Sequence, residues 1–312
     1  MELPRIARPP QDGLVVTYHY IRPTNSEGGG VTGISPEEFA RQLVAIARSH
    51  RLVGVDEFVR TAEAREPGDT PLALITFDDA VKDQYTHALP VLERLNVPAV
   101  FFAPMRPVDP AHGPLEAWTP QHLVHALAER MTWKTLEAAV RGEVGRVEID
   151  EPRMNTLYHY EVPEKRWLKF ALAFALPAER TAAVLHGINR AGPRIGADEW
   201  FMSRDELADL QARGHAIGAH GYDHLPYSSL TPLEQAWDMA RAAQLMSRLL
   251  GDRPRAIAYP FGRHDATTRE LTRVFGYTHA FTTDERVDCK FLDDALAARQ
   301  RERERTMHDC AA

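Results

Sequence analysis

Two adjacent carboxylates at the end of a short apolar segment are the residues of this chain best suited to chemistry. Asp78 and Asp79 follow the β-branched and aromatic run from Leu72 to Phe77, which predicts a buried strand. Side chains alternate along a strand, so the two carboxylates are expected to point in different directions. One can then bind a metal ion while the other stays uncoordinated and acts as a base. The alternative for such a pair is a helix cap or a solvated turn.

Two histidines later in the chain have the spacing of metal ligands. His220 follows a short apolar segment and His224 comes four residues after it, and Gly221 favours an irregular loop between them. Two imidazoles at this separation, together with one carboxylate, form a ligand set that leaves positions open for water and substrate. Asp223 is expected to support an imidazole or the loop itself.

A turn containing proline and glycine follows a third apolar segment. Tyr259, Pro260, Phe261 and Gly262 stand where a strand over 256–259 is predicted to break. Such a turn can present backbone N–H groups to a reacting centre. An ordinary connection between a strand and a helix is the alternative.

In this order the three segments resemble the motifs of the polysaccharide deacetylase family, also called the NodB homology domain or carbohydrate esterase family 4. The resemblance extends over residues 14 to about 105 and 200 to about 283 and rests on Thr76-Phe77-Asp78-Asp79, His220-x-x-x-His224 and Tyr259-Pro260-Phe261-Gly262. The segment from Tyr18 to Ile21 is similar to the start of a bacterial branch that is associated with surface-polysaccharide genes.

The resemblance implies a role for each of these residues. The roles are metal ligand for Asp79, His220 and His224, general base for Asp78, and oxyanion or substrate contact for Phe261 and Tyr259. The implied cofactor is one divalent metal ion, with zinc expected and cobalt, nickel or iron as alternatives.

The chain departs from the family pattern at three places. Ala80 replaces the usual glycine after the Asp pair, and Ala258 stands where many members carry an arginine that orients the base. Arg263, just after the turn, is the candidate substitute for that arginine. The late Leu-His motif that supplies the family's catalytic acid is missing. His19, at the end of the first predicted strand, is the candidate acid, and a structural hydrogen-bonded histidine is the alternative.

The implied function is a metal-dependent hydrolase that removes an N-acyl group, expected to be acetyl, from a sugar. The setting implied is bacterial surface-polysaccharide biosynthesis of the O-antigen or lipopolysaccharide type, with a nucleotide-linked or lipid-linked sugar as substrate. One alternative is a pseudoenzyme or carbohydrate-binding protein that keeps the cleft, because the late histidine is missing. Another is a deacylase of an O-acetyl or N-formyl sugar.

Composition is consistent with this hypothesis and excludes other classes. A chain of 312 residues with 44% hydrophobic content can bury the core of one barrel-sized domain. A net charge of −7 without a basic stripe argues against binding nucleic acid. The first ten residues are charged and rich in proline, and no run approaches the ~20 apolar residues of a membrane span. A cytoplasmic protein is therefore expected. Only Cys289 and Cys310 occur, so no disulfide framework is predicted.

Strand and helix signals alternate along most of the chain, which predicts an α/β protein with a parallel sheet. The family resemblance sharpens this to a distorted, incomplete (β/α)7-type barrel, which periodicity alone does not distinguish from an open doubly wound sheet. The predicted strands are 14–18, 72–77, 99–103, 216–220, 256–259 and 278–282, and the predicted helices between them are 36–49, 84–95, 204–213, 232–250 and 267–275.

Residues 106–199 interrupt this alternation and are predicted to form a mostly helical insertion within a single domain of residues 1–312. Helices are expected at 121–130, 133–141 and 166–175. His122 and His125 share a helical face, for which packing or substrate contact is preferred over a second metal site. For Trp167 and the aromatic run 158–160, burial is preferred over a sugar-stacking wall. The charged tail, 292–312, predicts a solvated helix or disorder.

Overall fold

The computed structural model describes residues 13–23, 31, 33–62, 69–159, 161–251, 253–284, 286–289 and 292–299. The predictions for the first ten residues, for Tyr160 and for 300–312 lie outside the described residues. The described chain forms two compact units. The first comprises the described residues of 1–23, 33–105 and 202–312, and the second those of 24–32 and 106–201.

A parallel sheet forms the centre of the first unit. Its strands are β1 (Leu14–Tyr18), β2 (Arg51–Leu52), β3 (Leu72–Asp78), β4 (Ala99–Ala103), β5 (Ala216–Ala219), β6 (Ala256–Ala258), β7 (His279–Phe281) and β8 (Val287–Asp288). They follow the order β7-β6-β5-β4-β3-β1-β8, with β2 beside the start of β3. A doubly wound sheet would reverse its strand order in the middle, which this one does not. In the described chain no pairing joins β7 to β8. The sheet is therefore a curled, incomplete barrel, and the predicted fold class is confirmed.

Eleven α-helices position the sheet and the second unit, and residues 292–299 of the predicted charged tail are also helical. The eleven helices are α1 (Pro36–Ala47), α2 (Val55–Ala62), α3 (Leu89–Leu95), α4 (Pro120–Met131), α5 (Trp133–Val144), α6 (Glu151–Leu157), α7 (Pro163–Phe170), α8 (Ala178–Ala191), α9 (Arg204–Ala212), α10 (Pro232–Leu250) and α11 (Ala266–Val274). The N-caps of α1, α9 and α10 are Ser35, Ser203 and Thr231, and each side chain accepts a hydrogen bond from the backbone N–H three residues later. None of the described helices combines the length and apolar character needed to cross a bilayer.

The C-terminal ends of four strands carry the residues selected from the sequence. His19 follows β1, Asp78 and Asp79 stand at the end of β3, His220 follows β5, and the turn at 259–262 follows β6. The strands β1, β3 and β4 are buried along their whole length, so polar side chains are accommodated at their ends. Because the strands are parallel, these ends meet at one edge of the sheet.

The second unit is helical and contains α4 to α8. The buried His122 ring packs edge-on against Phe201, and its Nδ1 lies 2.5 Å from the Thr119 hydroxyl. Trp167 is buried, with the Arg141 guanidinium 3.7 Å from its ring centroid. Packing therefore accounts for both aromatic side chains. In the part of the chain that the structure describes, no metal-type cluster includes a histidine of this unit.

Gly218 in β5 allows the Phe102 ring of the neighbouring strand to pack against it. A Cβ at this position would lie 2.5 Å from two ring carbons and 3.1 Å from the Ala256 carbonyl. We expect Gly218→Ala to lower the free energy of unfolding by about 1–3 kcal/mol through overpacking. In contrast, Gly142→Ala in α5, where nothing lies within 4 Å, should raise it by about 0.5–1 kcal/mol. Urea unfolding measures both, and shifts of the same sign would contradict this account of β5.

Candidate active site

The ends of β3 and β5 bring together Asp79, His220 and His224. The Nε2 atom of His224 lies 3.1 Å from Asp79 Oδ1, and the Nε2 atom of His220 lies 3.5 Å from it. One ligand atom of each residue lies within 4.8 Å of the others, and all three residues are buried. Two ligands of a tetrahedral zinc ion, each about 2.1 Å from the metal, are about 3.4 Å apart. The donor set and its spacing therefore fit a single divalent cation.

A backbone carbonyl fixes the orientation of the His220 ring. Nδ1 of His220 lies 2.8 Å from the Ala258 carbonyl at the end of β6, and because a carbonyl only accepts, Nδ1 carries the proton. The lone pair of Nε2 therefore faces Asp79. Burial lowers the pKa of His220 to about 4, so the ring is neutral near pH 7. A neutral imidazole is the form that binds a metal ion.

Backbone strain is concentrated around these ligands. Of the seven non-glycine residues with positive φ in the described chain, four lie here: Asp79 (77°), Ala80 (51°), His224 (55°) and Phe261 (58°). Such conformations cluster at functional sites, where the surrounding structure maintains them. Ala80 therefore adopts a conformation that the family's usual glycine takes more readily. Its carbonyl accepts a hydrogen bond of 2.9 Å from the Met202 N–H.

The second carboxylate, Asp78, has different partners. Nη1 of Arg286 donates to Asp78 Oδ1 at 2.7 Å, and Nε2 of His19 lies 3.9 Å from Oδ2. The side chains of Asp78 and Arg286 are 5% and 4% exposed. Burial by itself raises the pKa of Asp78, but its electrostatic interactions with Arg286, His220 and His19 and the Arg286 hydrogen bond lower it below the usual aspartate value. Asp78 is therefore ionised near pH 7.

The arginine beside Asp78 is not the one expected from the sequence. Arg263 is exposed, and its backbone N–H donates to the Pro260 carbonyl at 3.1 Å. Within the described residues, the ion pair with Asp78 comes from Arg286, whose Nε also donates to the Thr282 carbonyl at 3.2 Å. Sequence reasoning missed Arg286 because it lies in a charged segment just before a strand of two residues. The one sequence feature that pointed toward Arg286 was that the chain continues past 278–282, the last predicted strand.

A buried glutamine holds His19 beside Asp78. The amide Nε2 of Gln84 donates to the Asp78 carbonyl at 2.6 Å and to the His19 carbonyl at 2.8 Å. Gln84 opens a π-helical turn, Gln84–Ala88, a local irregularity often found at functional sites. The His19 side chain is 41% exposed. The ends of β1 and β3 are thus tied together with the His19 ring facing solvent.

The turn after β6 places the Phe261 ring beside His224, whereas the Tyr259 side chain is buried within the fold. The Phe261 ring centroid lies 5.0 Å from that of His224, and the residue is 44% exposed. Tyr259 is buried, its hydroxyl lies 3.0 Å from the Thr272 hydroxyl, and its backbone N–H donates to the Phe281 carbonyl at 3.1 Å. Both groups of Tyr259 bond within the fold, and substrate contact by this residue stays a prediction.

Comparisons with known proteins agree with this geometry. Residues 179–280 match the family model described as polysaccharide deacetylase. This stretch contains the two histidines and the turn after β6, whereas Asp78 and Asp79 lie outside it. The curated protein YxkH of Bacillus subtilis (strain 168), described provisionally as a polysaccharide deacetylase, is 28% identical over 93 residues. The alignment covers 30% of this chain and 33% of YxkH, so it spans a third of the relative's length.

Solved structures share the fold over most of the chain. The structure of IcaB from Ammonifex degensii aligns with 95% of this chain and 99% of its own, with 21% identity and a TM-score of 0.53. The Streptococcus pyogenes deacetylase PplD in complex with acetate aligns with 89% of this chain and 84% of its own, with 15% identity and a TM-score of 0.52. The resemblance predicted from the sequence is therefore confirmed: residues 179–280 match the polysaccharide deacetylase model, and solved deacetylase structures share the fold.

Proposed function

We propose that this chain is a metal-dependent hydrolase that removes an N-acyl group, acetyl in the simplest case, from a sugar. One observation carries the proposal: two adjacent buried carboxylates have different surroundings. Asp79 faces two imidazoles, whereas Asp78 faces Arg286 and His19. Titratable groups that differ in this way commonly divide the work of a catalytic site between them.

The ligand set and the base have separate tasks. A divalent cation held by Asp79, His220 and His224 would polarise the acyl carbonyl and lower the pKa of a water molecule. Asp78, ionised and outside the ligand set, accepts the proton of the attacking water. The water oxygen bonds to the carbonyl carbon and the C–N bond breaks, which gives a carboxylate and a free amine. The Phe261 N–H is the proposed donor to the oxyanion.

His19 is the proposed general acid, because the leaving nitrogen needs a proton. Its Nε2 lies 3.9 Å from Asp78 Oδ2, so the proton accepted by Asp78 has a short path to the imidazole. The partial exposure of the ring puts it within reach of a substrate. His19 therefore replaces the missing late histidine in this proposal.

The proposed substrate is an N-acylated sugar of surface-polysaccharide biosynthesis of the O-antigen or lipopolysaccharide type, linked to a nucleotide or lipid in the cytoplasm. Acetate release from free, nucleotide-linked, lipid-linked and polymeric N-acetylated sugars tests this. Activity confined to the polymer would contradict the linked precursor. O-acetyl and N-formyl analogues test the alternative deacylase. Bound metal without release from any of these compounds would favour a pseudoenzyme.

The two neighbouring carboxylates should respond differently to the same substitution. We expect Asp78→Asn to keep the metal and lower kcat by about 10²–10⁴-fold, because the general base is lost. Asp79→Asn should instead lose metal, because a ligand is removed. Elemental analysis of the purified variants and acetate release measure the two effects. Full activity of Asp78→Asn would refute its role as the base.

Arg286 should stabilise the fold through Asp78. Arg286→Gln leaves a buried carboxylate without its partner, so we expect the free energy of unfolding to fall by about 3–5 kcal/mol. Adding Asp78→Asn should recover much of this loss, because the buried charge left unpaired at position 78 is then removed. Arg263→Gln is the matched control, with an expected change within about 0.5 kcal/mol. Urea unfolding measures all variants, and strict additivity of the double variant would contradict a direct pair.

A general acid is needed only when the leaving group is poor. We expect His19→Gln to lower kcat on an N-acetylated sugar by about 10²–10⁴-fold. Hydrolysis of an activated aryl acetate should change little, because a phenolate leaves without protonation. His264→Gln is the control for the loss of a histidine ring outside the proposed catalytic set. This half-buried ring stacks on Tyr259, with 5.0 Å between the ring centroids. Equal losses of His19→Gln on both substrates would indicate a structural role for His19.

A further inference from the structure

A buried carboxylate of α10 contacts the loop between the two histidine ligands. Asp238 is 3% exposed and lies outside the proposed catalytic set. Its Oδ1 accepts the backbone N–H of Tyr222 at 2.9 Å, and its Oδ2 accepts that of Asp223 at 2.9 Å. The Tyr227 hydroxyl donates to Oδ1 at 2.8 Å. Two consecutive backbone N–H groups of the loop between His220 and His224 therefore donate to one carboxylate.

These hydrogen bonds connect the loop to a rigid element. Hydrogen bonds to an ionised acceptor are stronger than neutral ones, and a buried carboxylate needs several donors to offset its lost hydration. Asp238 projects from the 19-residue helix α10, Pro232–Leu250, so its position is set by the packing of that helix. The loop between His220 and His224 is consequently held by α10, which is separate from β3 and β5, the strands that carry the metal ligands.

The backbone of the loop is shaped to approach Asp238. Gly221 has a φ of 74°, and a Cβ there would lie 2.9 Å from Asp238 Oδ1. The Gly221 carbonyl accepts the Met105 N–H at 3.1 Å, which fixes the other side of the loop. His224 then follows with a φ of 55°, a left-handed conformation that is unfavourable for a non-glycine residue. Such a conformation persists where neighbouring contacts impose it.

We infer that Asp238 is a positioning residue that sets His224 relative to His220 and thereby determines the affinity of the site for a divalent cation. The inference rests on the proposed function, because it assigns the loop to metal binding. The expectation that Asp223 supports an imidazole or the loop stays a prediction. The carboxylate that holds the loop is that of Asp238, and Asp223 contributes its backbone N–H.

Asp238→Asn tests the inference by removing one acceptor with little change in volume. An amide offers one oxygen and an NH2 group, so one loop N–H loses its partner. We expect the Kd for Zn²⁺, measured by competition with a chromogenic chelator, to rise by about 10–100-fold. Tyr227→Phe is the matched control, because it removes a hydrogen bond from the same carboxylate but leaves both loop N–H groups paired. Its Kd for Zn²⁺ should be unchanged.

A second variant covers the case in which Asp238→Asn does not fold. Gly221→Ala crowds the same contact from the loop side, and we expect its Kd for Zn²⁺ to rise in the same direction. Wild-type affinity in the folded variants would overturn the inference and leave the proposed function intact. Equal weakening in Tyr227→Phe would also overturn it, because the effect would then reflect general stability. A wild-type chain that binds no divalent cation would overturn both proposals.

Discussion

The buried ion pair between Asp78 and Arg286 is the interaction on which the candidate site depends. Two adjacent buried carboxylates without counter-charges would repel each other, and one would take up a proton. Arg286 supplies the counter-charge for Asp78 at 2.7 Å, which leaves Asp79 to face the two imidazoles. The two acids can therefore both be ionised when a cation is bound, although they are consecutive in the chain.

Each functional side chain is held by a polar group from a different element. Gln84 holds the backbone beside His19 and Asp78, the Ala258 carbonyl orients the His220 ring, and Asp238 holds the loop before His224. All of these groups are buried, so each hydrogen bond lies in surroundings of low dielectric constant and would be costly to leave unmade. The geometry of the site consequently requires the assembled sheet and its helices, and no local segment encodes it alone.

The sequence predicted the elements with long, uniform patterns and the residues at their ends. The buried strands β1, β3 and β4 and the capped helices α1, α9 and α10 were recognisable, as were Asp79, His220 and His224 as a set. The two-residue strand β8 was missed because it is too short to show alternation. The relevance of Arg286, Gln84 and Asp238 also depends on contacts between distant parts of the chain. The burial of Tyr259 was not predictable, because an aromatic residue in a family motif gives no sign of which way its ring points.

Two of the three departures from the family pattern, the missing arginine before the turn and the missing late histidine, have one structural connection. Arg286 immediately precedes β8 and His19 immediately follows β1, and these strands pair in parallel through Val16 and Val287. Arg286 meets Oδ1 of Asp78, whereas His19 approaches Oδ2, so the guanidinium and the imidazole approach opposite oxygens of one carboxylate. The pairing of β8 with β1 therefore sets the surroundings of Asp78 from both sides. In the proposed mechanism, the positioning of the base and the supply of the acid then depend on the same strand pair, and neither departure can be judged separately from the other.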